Sequence, residues 1–147
     1  PNTAAQSITD KLFGRRTRRM RDNNVRTLIV DQQEAECASL ATQICRKGDT
    51  AIIATSAQQA RAWLATDSFD LVLLGVDLAD KDGLKLCAEA RERLGDDTII
   101  IVLAAKSTPL GRVTGMQLGA DDVIGKPWNI EEVLVRIDAF RRRRQRL

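Results

Sequence analysis

Residues 71–74 (LVLL) and 99–104 (IIIVLA) are apolar runs with no polar residue at alternate positions. A strand with one wet face alternates apolar and polar side chains, whereas a strand covered on both faces does not. Both runs are too short for buried helices and read as central strands of a parallel sheet. That reading constrains the rest of the chain. Parallel neighbours cannot be joined by a tight turn, so each pair needs a long crossover, usually a helix. Right-handed crossovers then place helices over both faces of the sheet.

The flanking sequence supplies those parts. Strands are expected at 25–30, 50–55, 69–74, 98–104 and 122–125. The segment 34–48 spaces Cys37, Leu40, Ala41 and Ile44 as a helix and stops at Gly48. Ser56 caps a helix over 56–66 with Ala60, Trp63 and Leu64 on one face. A helix over 83–95 carries Leu84, Cys87, Ala88 and Arg91 in register. The segment 108–119 is a weaker helix interrupted by Gly111 and Gly115. The strongest helix, 129–144, has Asn129 as cap, Glu131 and Glu132 at its positive end and arginines at its negative end. Five strand–helix units give an α/β fold: a doubly wound, five-stranded parallel sheet with helices on both faces.

Composition narrows the chemistry. The chain has no histidine, which excludes Ser-His-Asp and Cys-His centres and most zinc sites. Its three cysteines, Cys37, Cys45 and Cys87, form no CxxC pair and read as buried thiols of a reducing, cytoplasmic compartment. No apolar run approaches a membrane span, and no secretory signal is present, so no membrane insertion is expected. The net charge of +3 hides a split. Residues 1–24 hold six basic and two acidic side chains, residues 141–147 hold five arginines, and residues 25–140 hold twelve basic and eighteen acidic ones. An acidic globule with basic ends argues against nucleic-acid contact across its own surface.

Residues 1–24 read as a linker or N-terminal extension, either a solvated connector or a segment that orders on a partner. Residues 143–147 read as the basic start of a C-terminal linker. The arginine tail has three readings: a helix end favoured by the dipole, a nucleic-acid contact of a neighbouring domain, or a membrane-surface patch. Because the chain starts at Pro1 rather than at methionine, it is expected to be a piece of a longer protein.

In doubly wound sheets, ligands and chemistry sit at the carboxyl ends of the strands. Those ends carry Asp31-Gln32, Gly75, Ala104-Ala105-Lys106 and Lys126-Pro127. With the stretches LIVDQQE, FDLVLLGVDLADKDGL, GADDVIGKPW and IEEVLVRIDAFRRR in order, residues 25–142 resemble the receiver domain of two-component response regulators, a flavodoxin-like fold. The resemblance implies an aspartate at the end of the third strand that takes a phosphoryl group from a histidine kinase. It also implies a Mg²⁺ held by carboxylates after the first strand, a hydroxyl after the fourth strand, an aromatic on the fifth and a lysine beyond it. Carried over residue by residue, the acceptor position falls on Gly75. Of the acidic pair, Asp31 remains and the second position is Gln32. The hydroxyl position is Ala104, the aromatic position is Val123, and the lysine is Lys126.

The chain therefore resembles a degenerate pseudo-receiver that lacks the phosphoacceptor aspartate, with no catalytic residue, no metal and no cofactor. Lys126 is expected to pair with Asp31 as a structural remnant; the alternative is a small-ligand or anion site around Lys126. Asp77 lies two residues past Gly75, roughly 6–7 Å of extended chain and too far to replace it. Asp80 is farther still, and Asp82 reads as a helix cap. Glycine at 75 is expected to serve a backbone conformation open only to glycine.

In transcription-factor receivers, two copies meet through the fourth helix, fifth strand and fifth helix with charged pairs across the seam. The acids of that seam fall on Asp121, Asp122 and Glu132. Its bases fall on Arg136 and Arg143, and one basic position falls on Thr114. Ile130, Val133, Leu134, Ile137 and Phe140 spread wider on the last helix than packing on the sheet requires. The expected function is a non-catalytic signalling module that acts by self-association, or by contact with other domains of its regulator or a signalling protein. It would make no direct nucleic-acid contact. The alternatives are the input domain of a DNA-binding transcriptional regulator and a receiver still phosphorylated at an unusual acid.

Overall fold

The structure is a computed structural model that describes residues 24–46, 48–76, 78, 83–104, 116–125 and 128–145, with backbone alone at 144 and 145. Along the chain these form β1 (Arg26–Val30), α1 (Glu34–Arg46), β2 (Thr50–Ala54), α2 (Ala57–Thr66), β3 (Leu71–Gly75), α3 (Gly83–Leu94), β4 (Ile99–Ala104), β5 (Asp122–Gly125) and α4 (Ile130–Gln145). The sheet order is β2-β1-β3-β4-β5, and every pair is parallel. The expected α/β doubly wound architecture is therefore the observed one. Most of the weaker helix expected at 108–119 falls outside the described residues. From that segment Met116 and Gln117 are helical, and Gly119 turns the chain at φ 109.

Successive residues of a strand face opposite sides, so each strand feeds two cores. Leu28, Val30, Val72, Leu74 and Val102 pack under α2 and α3. Ile29, Leu71, Leu73, Ile101 and Leu103 pack under α1 and α4. β3 is buried at all five residues, which accounts for its unbroken apolar run. Each such side chain contributes about 1.5–3 kcal/mol by leaving water.

Two helices are turned slightly from their expected faces. On α2 the buried residues are Ala57, Ala60 and Leu64, while Trp63 is 38% exposed. The inner stripe of α2 is two alanines and Leu64, and Trp63 lies outside it. On α3 the inner stripe is Leu86, Cys87, Ala90 and Leu94, and Leu84 is exposed. The helix starts follow the expected chemistry. Gln59 N donates to Ser56 Oγ (3.1 Å), the N-cap bond, and Thr55 N just before the cap donates to Gln59 Oε1 (2.8 Å). Glu131 N donates to Asn129 Oδ1 (2.8 Å) at the start of α4. That helix runs on through Gln145, into the stretch expected to begin a linker. Among the described residues no helix is long and apolar enough to cross a membrane.

Cys37 and Cys87 are buried, but Cys45 is exposed because it follows the inward-facing Ile44 on α1. Burial pushes the Cys87 thiol from 9.0 up to about 11, against a smaller pull downward from Arg91. Cys45 is therefore expected to take a thiol reagent rapidly at pH 8, with Cys87 unmodified until the chain unfolds. Between about pH 9 and 11 the unfolded Cys87 has lost its proton and the folded one has not, so stability falls as pH rises through that window. Timed mass spectrometry and alkaline unfolding curves check both.

Candidate functional site

The sheet order reverses between β1 and β3, and the carboxyl ends of these strands frame a crevice there. Asp31 follows β1 at that point and is 1% exposed. Its backbone N donates to Ala54 O (3.1 Å), and its Oδ1 accepts from Gln33 N (3.1 Å). The second bond is an Asx turn that leads the chain into α1. Cys37 Sγ donates to Asp31 O (3.7 Å) from the first turn of that helix. Gln32 is exposed.

Gly75 ends β3 opposite Leu103. Its φ is not positive; among the described residues the positive-φ glycines are Gly48, Gly95 and Gly119. The expectation of a glycine-only torsion at 75 is thus corrected, and the requirement is steric. A Cβ at 75 would lie 2.6 Å from Asp31 Oδ2, 3.0 Å from Asp31 Cγ and 3.1 Å from Val30 O. The carboxylate of Asp31 fills the volume a side chain at 75 would enter. Leu78 is buried, and a Cβ on Gly83 would strike the Val76 backbone at 2.5 Å.

Ala104 ends β4 half-buried, and Val123 is buried in β5 within the α2/α3 core. Lys126, Asp77, Asp80, Asp82 and Thr114 lie outside the described residues. Among the described residues no group of three acidic, cysteine or histidine side chains is placed to hold a metal ion. A divalent cation of the Mg²⁺ kind is held by one or two carboxylates together with water and phosphate oxygens, and among the described crevice residues Asp31 offers one carboxylate. Asp31 is a single carboxylate, Gln32 is a neutral amide and Gly75 brings no oxygen from a side chain.

The expected seam residues separate into two groups. Arg136 Nη1 donates to Asp122 Oδ2 (2.5 Å) and Arg136 Nη2 to Glu132 Oε1 (3.3 Å), a cluster on one face of β5 and α4 beside Val135, which is 64% exposed. Arg143 stacks over Phe140 at 5.4 Å instead. Asp121 serves a different partner. Its Oδ2 accepts from Arg91 Nη2 (2.7 Å) and from Ile100 N (2.8 Å). Arg91 also donates to Gly119 O from Nε (2.9 Å) and Nη2 (2.7 Å), and from Nη1 to Gly95 O (2.8 Å) and Thr98 O (2.6 Å). This cage closes the amino ends of β4 and β5 against α3. Its only sequence signal was the position of Arg91 on the inner side of a helix.

A parallel sheet in this order with a buried aspartate at the β1/β3 crevice defines a flavodoxin-like domain of the receiver kind. The family model for the response regulator receiver domain matches residues 27–138, and the chain belongs to that family. It is 38% identical over 119 residues to the response regulator MprA of Mycolicibacterium vanbaalenii, covering 81% of this chain and 51% of that protein. The chain thus spans about half the length of the curated relatives it matches. Among solved structures it resembles a CheY-like receiver domain protein from Methanospirillum hungatei, with TM-score 0.77 and 25% identity over 84% of this chain and 98% of that one. It also resembles a Burkholderia pseudomallei response regulator solved with a phosphorylated aspartic acid, a calcium ion and citrate, with TM-score 0.70 and 26% identity over 76% of this chain and 65% of that one.

Proposed function

We propose that this receiver domain signals without aspartyl phosphorylation, as a non-catalytic protein–protein module within a larger regulator. One observation carries the reading: Asp31 Oδ2 stands 2.6 Å from where a side chain at 75 would begin. In this position Asp31 packs against the backbone that would have borne the acceptor. Gln32, Ala104 and Val123 support the same reading, because charge, hydroxyl and aromatic ring are absent where the family's cycle uses them.

Residues 25–142 would be the working unit, and its product would be a surface. The cluster of Asp122, Glu132 and Arg136 with exposed Val135 is the face we assign to self-association. Exposed ion pairs contribute about 0–1 kcal/mol each, so they would set register more than affinity. Control of an attached DNA-binding domain is the second reading. It is favoured by the coverage of only about half of each curated response regulator matched.

Incubation with a small-molecule phosphodonor and Mg²⁺, followed by intact mass, tests the proposal. The mass is expected to stay unchanged while a receiver bearing the aspartate gains one phosphoryl group. The sedimentation profile should not respond to the donor, and Arg136→Glu should shift it toward monomer. A stoichiometric phosphoryl adduct overturns the reading.

A further inference from the structure

The amino-terminal edge of the sheet lies far from the crevice, and one carboxylate there holds both ends of the domain. Asp49 follows the positive-φ turn at Gly48 and precedes β2. Its Oδ1 accepts from Val25 N (3.0 Å), the backbone just before β1. The same carboxylate receives a two-pronged contact from the last helix, Arg141 Nη2 to Oδ1 (3.0 Å) and Arg141 Nη1 to Oδ2 (3.1 Å). The Asp49 side chain is 7% exposed, so these bonds are made largely out of water, where a charge-assisted fork is strongest. Val25 is tied again by Thr50 N, which donates to Val25 O (3.0 Å). Val25 and Phe140 pack against the same core cluster.

We infer that Asp49 is a joint that makes the chain entering β1 and the end of α4 move as one body. A displacement imposed on one flank would then reach the other without phosphoryl chemistry. This rests on the phosphorylation-independent reading above, which otherwise lacks a route from input to output. Charge favours a carboxylate at the joint: residues 1–24 carry an excess of four positive charges and residues 141–147 carry five, and Asp49 offsets one of them where Arg141 meets the Val25 backbone.

Native-state amide exchange on the full chain tests the joint. Asp49 bonds both to Arg141 and to the Val25 amide and so links the two. Arg141→Gln is therefore expected to speed exchange of the Val25 amide about tenfold, along with the amides of the last turn of α4, while Ile29 in the core keeps its rate. Asp49→Asn should speed both ends together. If Arg141→Gln accelerates only the α4 amides, the joint does not exist and the inference is overturned. Should Ile29 accelerate as well, Arg141→Lys, which keeps the charge and gives up the fork, decides by the same comparison. A phosphoryl adduct in the mass experiment would remove the reading beneath the joint and leave the exchange result standing, so the two failures are distinguishable.

Discussion

Arg91→Ala is expected to lower the unfolding free energy by about 2–4 kcal/mol. The guanidinium donates to three backbone carbonyls and one carboxylate, and its side chain is only 18% exposed. Alanine strands the part-buried carbonyls of Gly119 and Thr98, each at a cost of about 1–3 kcal/mol, while the exposed Gly95 carbonyl is taken over by water. It also leaves Asp121 with a backbone N–H from Ile100 but no counter-ion. A domain of this size has about 5–15 kcal/mol in total, so the variant sits near the edge of folding. Arg91→Lys should recover only part of the loss, because one ammonium cannot reach acceptors spread around a planar fork. Urea unfolding reads this as a lower midpoint at unchanged slope. A loss below about 1 kcal/mol would mean that water replaces the guanidinium and that the cage is ornamental.

Arg91 also marks what the sequence can and cannot reveal. Its place on the inner side of α3 follows from helical spacing, but its partners are mostly backbone carbonyls, which have no side-chain signature. The strands were legible because burial on both faces removes polar alternation, a rule that depends only on local sequence. Helix faces were legible to within one residue. Trp63 and Leu84 each fit an apolar stripe by spacing, but each helix is rotated so that both are exposed. Asp49 gave no signal at all, since the residues it joins lie 24 and 92 positions away. At the crevice, the glycine at 75 was visible in one letter. That Asp31 occupies the volume of a side chain there was not, because the contact depends on β1 and β3 lying side by side in one register.

That occupancy governs the effect of placing a carboxylate at 75. Gly75→Asp is expected to destabilise the domain by about 2–4 kcal/mol and to leave it without phosphorylation by a small phosphodonor. The new Cβ meets Asp31 Oδ2 at 2.6 Å and Val30 O at 3.1 Å. The backbone oxygen cannot swing away, so Asp31 must. Moving it strains the Gln33 N to Oδ1 bond that starts α1. A second carboxylate beside one already buried adds like-charge repulsion of about 4 kcal/mol at 4 Å separation and an effective dielectric of 20, part of which is relieved by protonation. Gly75→Ala carries the steric part alone and should cost less than Gly75→Asp. In a double-mutant cycle, Asp31→Ala should soften the effect of Gly75→Asp by more than about 1 kcal/mol, a coupling that independent sites do not show. Even then Gln32 and Ala104 supply neither the metal's second carboxylate nor a hydroxyl for the phosphoryl oxygens, so intact mass should remain that of the unmodified variant. A Gly75→Asp chain as stable as its parent, or one that takes up phosphate at the rate of an ordinary receiver, would show that Asp31 moves aside without cost. The vacancy at 75 would then be a recent loss in a working site, and the case for phosphorylation-independent signalling would fall with it.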